Sequence, residues 1–141
     1  MKSFTDIEQS KKLAEILPVE SADMWLVERY AGQVLLNGKH VVEDTPTYHL
    51  SLTRPSENNY SQDTIKDIPC WSLAALLNGL PVSCDDGHHC VALINANPNG
   101  DIEWICCYED CRGDWLHECH ASNPVDACYE MIFKLKENGL L

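Results

Sequence analysis

Eight cysteines and six histidines are the residues of this 141-residue chain best suited to chemistry, and most of them lie between positions 84 and 120. Cys70 stands apart from that group. It begins the stretch Cys70-Trp71-Ser72-Leu73-Ala74-Ala75, which reads as the first turn of a helix. A cysteine there gains a stabilised thiolate from the exposed amides and the helix dipole. His88 or His89 then opens an apolar strand pattern, and Glu109 and Asp110 follow Trp104 on the next one. Cys70, His89 and Asp110, in that order on a helix and neighbouring strands, would form a cysteine-nucleophile site. Against it, Cys70 and His89 are 19 positions apart (89 − 70), and a ten-residue helix already rises ~15 Å. One short connection must then bring the imidazole back. Packing supplies the plainer account, with Cys70 buried beside a core Trp71.

Zinc is the other chemistry these letters suggest. Cys84, His88, His89 and Cys90 form one cluster, and Cys106, Cys107, Cys111, His117, Cys119 and His120 form a second. A structural site wants four thiolate or imidazole ligands, often as two short pairs. The best available set is Cys107, Cys111, His117 and Cys119, whose Cys-x3-Cys spacing fits loosely. Strand alternation sends Cys106 and Cys107 to opposite faces, so at most one of them joins a given metal. Buried cysteines and exposed histidines account for the same residues without a metal.

The elements that position these groups follow from periodicity and caps. Thr5-Asp6-Ile7-Glu8 is a capping-box pattern, and a helix over about 6–17 follows, stopped by Pro18. Asn37-Gly38 between Gln33-Val34-Leu35-Leu36 and Lys39-His40-Val41-Val42 is a hairpin signal. Thr47–Thr53 alternates as a half-buried strand with Tyr48, Leu50 and Leu52 on one face. Residues 55–67 are polar and read as a surface loop. A helix over about 70–79 buries Leu73, Leu76, Leu77 and Leu80 and ends at Asn78-Gly79 before Pro81. Cys90–Ile94 and Ile102–Tyr108 form an antiparallel hairpin across the Asn95–Asp101 turn. Ile102, Trp104, Cys106 and Tyr108 share its buried face, with Glu103, Cys107 and Glu109 opposite. Residues 114–121 make a third strand. The last helix starts at the Asn123 cap with Pro124 in its first turn, and Gly139 stops it. Val125, Cys128, Met131, Ile132 and Leu135 form its apolar stripe, opposite Asp126, Glu130, Lys134 and Glu137.

This pattern is α+β: a small antiparallel sheet of hairpins packed with about three helices in a single domain over 1–141. Residues 68–141 hold the helix–hairpin–strand–helix core, and 1–67 add a helix, a hairpin and a loop. The length suits one domain with a substantial core.

Three blocks carry a resemblance: Ile7-Glu8-Gln9-Ser10-Lys11-Lys12-Leu13 with Ala22-Asp23-Met24; Ile68 through Leu77; and Asn123 through Met131. In that order they resemble small uncharacterised proteins carried by prophages and other mobile elements of Bacteroides-type gut bacteria. The resemblance implies an accessory role and transfers no activity and no site residue. Cys70 to Ala75 is also similar to the nucleophile helix of papain-like cysteine proteases and transglutaminase-like folds, which implies a thiol hydrolase or transferase.

Charge narrows the partners. Ten Lys and Arg against 22 Asp and Glu give a net charge of −12, a field that repels phosphate backbones and argues against nucleic-acid binding. An acidic chain can instead imitate nucleic acid toward a DNA-binding protein, although acidic solvated surfaces are ordinary. The first ten residues hold no apolar run of the kind a secretory signal needs, and no ~18-residue apolar stretch spans a membrane. The expectation is a cytoplasmic protein with unpaired cysteines. It has no cofactor and no catalytic site, and it acts on a protein partner through an acidic surface, with Trp25 or Trp115 as an anchor.

Overall fold

The computed structural model describes residues 1–29, 34–36, 39–41, 47–54, 67–96 and 101–141. Helix α1 (Ile7–Leu13) and a 3-10 turn (Val19–Ser21) precede strand β1 (Met24–Arg29). Strands β2 (Val34–Leu36), β3 (Lys39–Val41), β4 (Thr47–Ser51) and β5 (Asp67–Cys70) follow, then helix α2 (Leu73–Gly79). A short strand β6 (Ser83–Cys84), a 3-10 turn (Asp85–Gly87) and strands β7 (His89–Ala96), β8 (Glu103–Glu109) and β9 (Trp115–Ala121) lead to helix α3 (Pro124–Glu137). The fold is α+β; the described residues form three α-helices and two antiparallel sheets, ordered β4-β1-β5 and β6-β7-β8-β9, and β2 and β3 pair separately.

Helix α1 starts one residue later than expected. Asp6 is the cap: its carboxylate accepts from the Gln9 amide at 2.9 Å, and the Gln9 side chain returns to the Asp6 amide. Thr5 does another job. Its amide donates to the Trp71 carbonyl at 3.0 Å and its hydroxyl accepts from the Trp71 amide at 3.1 Å. These bonds tie the N-terminal strand to the β5–α2 junction, so two otherwise orphaned buried groups are satisfied.

The second helix is shorter than its expected range. Ser72 is its cap, accepting from the Ala75 amide at 3.2 Å. Residues 67–70 are drawn into strand conformation by pairing with β1, in the register Met24 to Cys70 and Val27 to Asp67. Pro69 is tolerated there because β5 is an edge strand, where a missing N–H leaves no ladder gap. Leu76 and Leu80 are buried as expected, whereas Leu73 and Leu77 are half-buried and Ala75 takes a core position.

Strand β4 forms over Thr47–Ser51, but its burial does not alternate as expected: Leu50 and Leu52 are 39% and 75% exposed, while Tyr48, His49 and Ser51 are half-buried. β4 is also an edge strand, and Leu52 lies past its end. The strands flanking Asn37-Gly38 pair as expected, Val34 with Val41 and Leu36 with Lys39. That turn itself, the loop over 55–66 and the tip of the β7–β8 connection lie outside the described residues.

Helix α3 matches its reading closely. The Asn123 side chain accepts from the Asp126 amide at 2.9 Å, Pro124 occupies the first turn, and Gly139 adopts φ +69 beyond the last turn. Val125, Cys128, Met131, Ile132 and Leu135 are fully buried against the inner face of the four-stranded sheet. That core also takes Leu13 and Leu17 from the N-terminal third, Trp71, Leu76 and Leu80 from the α2 region, and Cys106 and Tyr108 from β8. One core therefore joins both ends of the chain.

Candidate functional site: the outer face of the four-stranded sheet

Cys70 is the last residue of β5 and not the first of a helix, so the amides and dipole invoked for its thiolate belong to Ser72 and the residues after it. Its thiol is fully buried and donates to the Thr5 carbonyl at 3.3 Å. Burial pushes its pKa up, opposite to a nucleophile's need. Among the described residues no imidazole hydrogen-bonds to it. His88 stands in the β6–β7 turn of the other sheet and His89 opens β7, where its Nδ1 meets Asp85 Oδ2 at 2.7 Å. His88 is exposed.

Asp110 lies close enough to His89 to feel its charge, so the structure does bring the second and third members of the expected trio near each other. Its carboxylate, however, is engaged in a turn, accepting from the Asp114 amide at 2.8 Å and the Arg112 amide at 2.9 Å. Those amides, led by that of Asp114, hold its pKa below the usual carboxylate range.

The cysteine and histidine set considered for zinc is dispersed. Cys107 faces outward from β8 while Cys119, beside Cys106 in register, packs on the inner core. Cys111 is exposed in the turn after β8, and His117 occupies a bulge in β9. The described residues hold no group of three or more His, Cys, Asp or Glu side chains placed to bind a metal ion. Cys84, Cys106 and Cys128 belong to the inner core, and Cys90 is exposed.

The sheet register sorts side chains cleanly. Val91, Leu93, Cys106, Tyr108, Leu116 and Cys119 point to the helices. By alternation Cys90, Ala92, Ile94, Ile105, Cys107, Glu109 and Trp115 occupy the other face. Helix α3 packs on the inner side, and among the described elements none packs broadly across the outer one. β8 is nonetheless buried on both sides: Ile105 and Cys107 are as inaccessible as Cys106 and Tyr108.

A bulge shapes this face. Cys106 pairs with Cys119 and Tyr108 with Leu116, so His117 and Glu118 together oppose Cys107. His117 takes φ +53, which a histidine adopts only where the surrounding pairing enforces it. The extra residue turns Glu118 toward Cys107, whose thiol is pushed up to about 11 by burial first and then by Glu109, Cys106 and Glu118. Two carboxylates thus flank the buried sulfur. His120, opposite Ile105, lies 3.2 Å from Glu103 Oε1 and 3.9 Å from Glu118 Oε2. Lys134 from α3 reaches the Glu118 carbonyl at 2.8 Å and blunts the exposed edge of β9.

Trp115 stands at the end of this face, directly opposite Glu109, and is 42% exposed. The other tryptophans are placed differently. Trp71 is fully buried with Nε1 donating to Ser21 Oγ at 2.9 Å, and Trp104 packs against the inner core. Trp25, the other expected anchor, is 8% exposed, with the Arg54 guanidinium 4.7 Å over its ring and Arg54 Nε 3.2 Å from Asp67 Oδ2. On this face the indole of Trp115 is exposed, Ile105 and Cys107 are buried, and Glu103, Glu109 and Glu118 lie around them. Compared with known proteins, the chain matches no family model, no curated protein and no solved structure.

Proposed function

We propose that this chain is a non-catalytic accessory protein, encoded by a mobile element and acting in the cytoplasm, that works by binding another protein through the outer face of its four-stranded sheet. The observation that carries the binding role is Trp115: a large amphipathic side chain left 42% exposed beside Glu109, while Trp71 is fully buried. Exposed indoles are costly in water and characteristic of interface anchors. The net charge of −12 supports an acidic contact surface, and the glutamates at 103, 109 and 118 place part of it on this face. The mobile-element setting rests on the three sequence blocks alone.

The experiment is site-specific photocrosslinking in cells that naturally make the protein, with a photoreactive amino acid at position 115 and, separately, at position 52. Leu52 is even more accessible, at 75% against 42%, and lies just past the end of β4, an edge strand of the other sheet. A discrete heavier adduct from position 115 and none from 52 is the expected result. Adducts from both, or from neither, would remove the outer face from consideration.

A further inference from the structure

We infer that the Trp115–Glu109 pair is a receptor for a partner's arginine side chain, an inference that rests on the outer face being the contact surface. The chain already contains this arrangement, filled from within. In the three-stranded sheet the Arg54 guanidinium lies 4.7 Å over the Trp25 ring while its Nε meets the Asp67 carboxylate at 3.2 Å. Asp67 is opposite Val27, two positions from Trp25 on the same sheet face. Indole, guanidinium and carboxylate therefore form one unit, combining a cation–π contact with a charge-assisted bond.

The four-stranded sheet repeats two of the three parts. Trp115 presents its indole and Glu109 its carboxylate on the adjacent strand, in direct cross-strand register. Glu118 adds to the negative field that Glu109 sets up around Cys107. The third part is missing: among the described residues the one guanidinium over an indole is that of Arg54. His120 is engaged with Glu103 and Glu118, and Arg112 enters the adjacent turn through its backbone amide. Trp25 is 8% exposed with the Arg54 guanidinium over its ring, and Trp115 is 42% exposed with no guanidinium over it among the described residues.

Charge also selects the occupant. A second copy placed face to face would bring Glu103, Glu109 and Glu118 against themselves, in a chain already at −12. Like charges across an interface are strongly penalised. A cationic partner gains from the same field, and arginine gains more than lysine because its planar fork stacks on the ring and bonds the carboxylate together.

The test uses the full chain labelled with 15N, whose four tryptophans give four indole N–H resonances. N-acetyl-arginine amide is titrated in, with the uncharged isostere N-acetyl-citrulline amide alongside. The Trp115 resonance, assigned by Trp115→Phe, should move saturably with the arginine compound, and the citrulline compound should bind about tenfold more weakly or worse. Glu109→Gln should weaken the arginine compound several-fold, and Glu137→Gln on α3 should leave it unchanged. Equal response to both compounds, no movement at Trp115, or indifference to Glu109→Gln would overturn the inference. A Trp115 shift that depends on protein concentration without ligand would assign the face to a second copy instead. If crosslinking from position 115 succeeds while arginine fails here, the contact face stands and only the arginine assignment falls.

Discussion

Cys107 carries an unusual burden for a residue on the sheet face turned away from helix α3. Its thiol is inaccessible and flanked by Glu109 and Glu118, so ionising it places a third negative charge in a dry position. Burial also raises Cys70, Cys84 and Cys119, the last to about 11. The sign of the consequence is fixed. A thiol whose folded pKa lies above its unfolded value stabilises the fold fully below the unfolded value, about 8.5, and that contribution fades as pH rises toward 11. Thermal unfolding followed by circular dichroism should therefore show a melting temperature that declines above about pH 8.5. Cys107→Ala should shallow that decline; an identical alkaline limb in the variant would show that this thiol does not contribute. The same placement orders reactivity. With iodoacetamide at neutral pH, Cys90 and Cys111 should label first, and Cys70, Cys84, Cys106, Cys107 and Cys128 should label only at the rate of unfolding. Rapid native labelling of Cys70 would reopen the thiol-nucleophile reading.

At the scale of elements, the N-termini of α1 and α3 are clamped together. Lys2 Nζ and Gln9 Nε2 both reach Asp126 Oδ1 at 2.7 Å, and Lys2 also reaches Asp6 at 2.9 Å. Burial works to raise the Asp126 carboxyl, but the bonds from Lys2, Gln9 and Asn123 outweigh it and hold the pKa below the ordinary value. Stability from a depressed carboxylate is present above the unfolded pKa, about 3.9, and is lost as pH falls through the lower folded one. Asp126→Asn should cost about 1–2 kcal/mol at pH 7 and should cost progressively less in urea titrations below about pH 4. A constant penalty across that range would assign the loss to geometry and not to charge.

The helices also show which parts of the fold local sequence carries. Helix α3 was legible because its cap, first-turn proline, apolar stripe and terminal glycine are all local signals. Strand β5 was not: Asp67-Ile68-Pro69-Cys70 is four residues with a proline, and only pairing with β1 makes it extended. Moving those residues into a sheet displaced Cys70 from the helix end, and with it the thiolate argument. Alternation correctly separated Cys106 from Cys107, but it could not show that the outward sulfur would be fully buried as well. Nor could it distinguish Trp25 from Trp115: Trp25 lies on a central strand with an arginine 29 positions away (54 − 25) over its ring, whereas Trp115 opens the edge strand β9 and stays 42% exposed.

For the whole molecule, residues 1–67 and the 68–141 core share one buried cluster. Leu13 and Leu17 sit in the same buried cluster as Trp71, Leu76 and Met131, and Thr5 bonds both backbone groups of Trp71. Strand β5 gets its ladder from β1, so a chain beginning at 68 would expose the edge it now shares. Removing the first 67 residues strips two fully or nearly buried leucines from the core; each costs on the order of 2–5 kcal/mol even when only truncated to alanine. Domains of this size have only about 5–15 kcal/mol to lose. The fragment 68–141 should accordingly give a collapsed proton spectrum with no sigmoidal urea transition. The full chain should unfold in one step, with tryptophan fluorescence and far-ultraviolet dichroism coincident. Fluorescence would report largely on Trp71 and Trp104 in the shared core, and dichroism on α3 packed against it. A fragment with dispersed resonances, or a full chain whose two probes separate, would mean that the N-terminal third decorates the core without completing it.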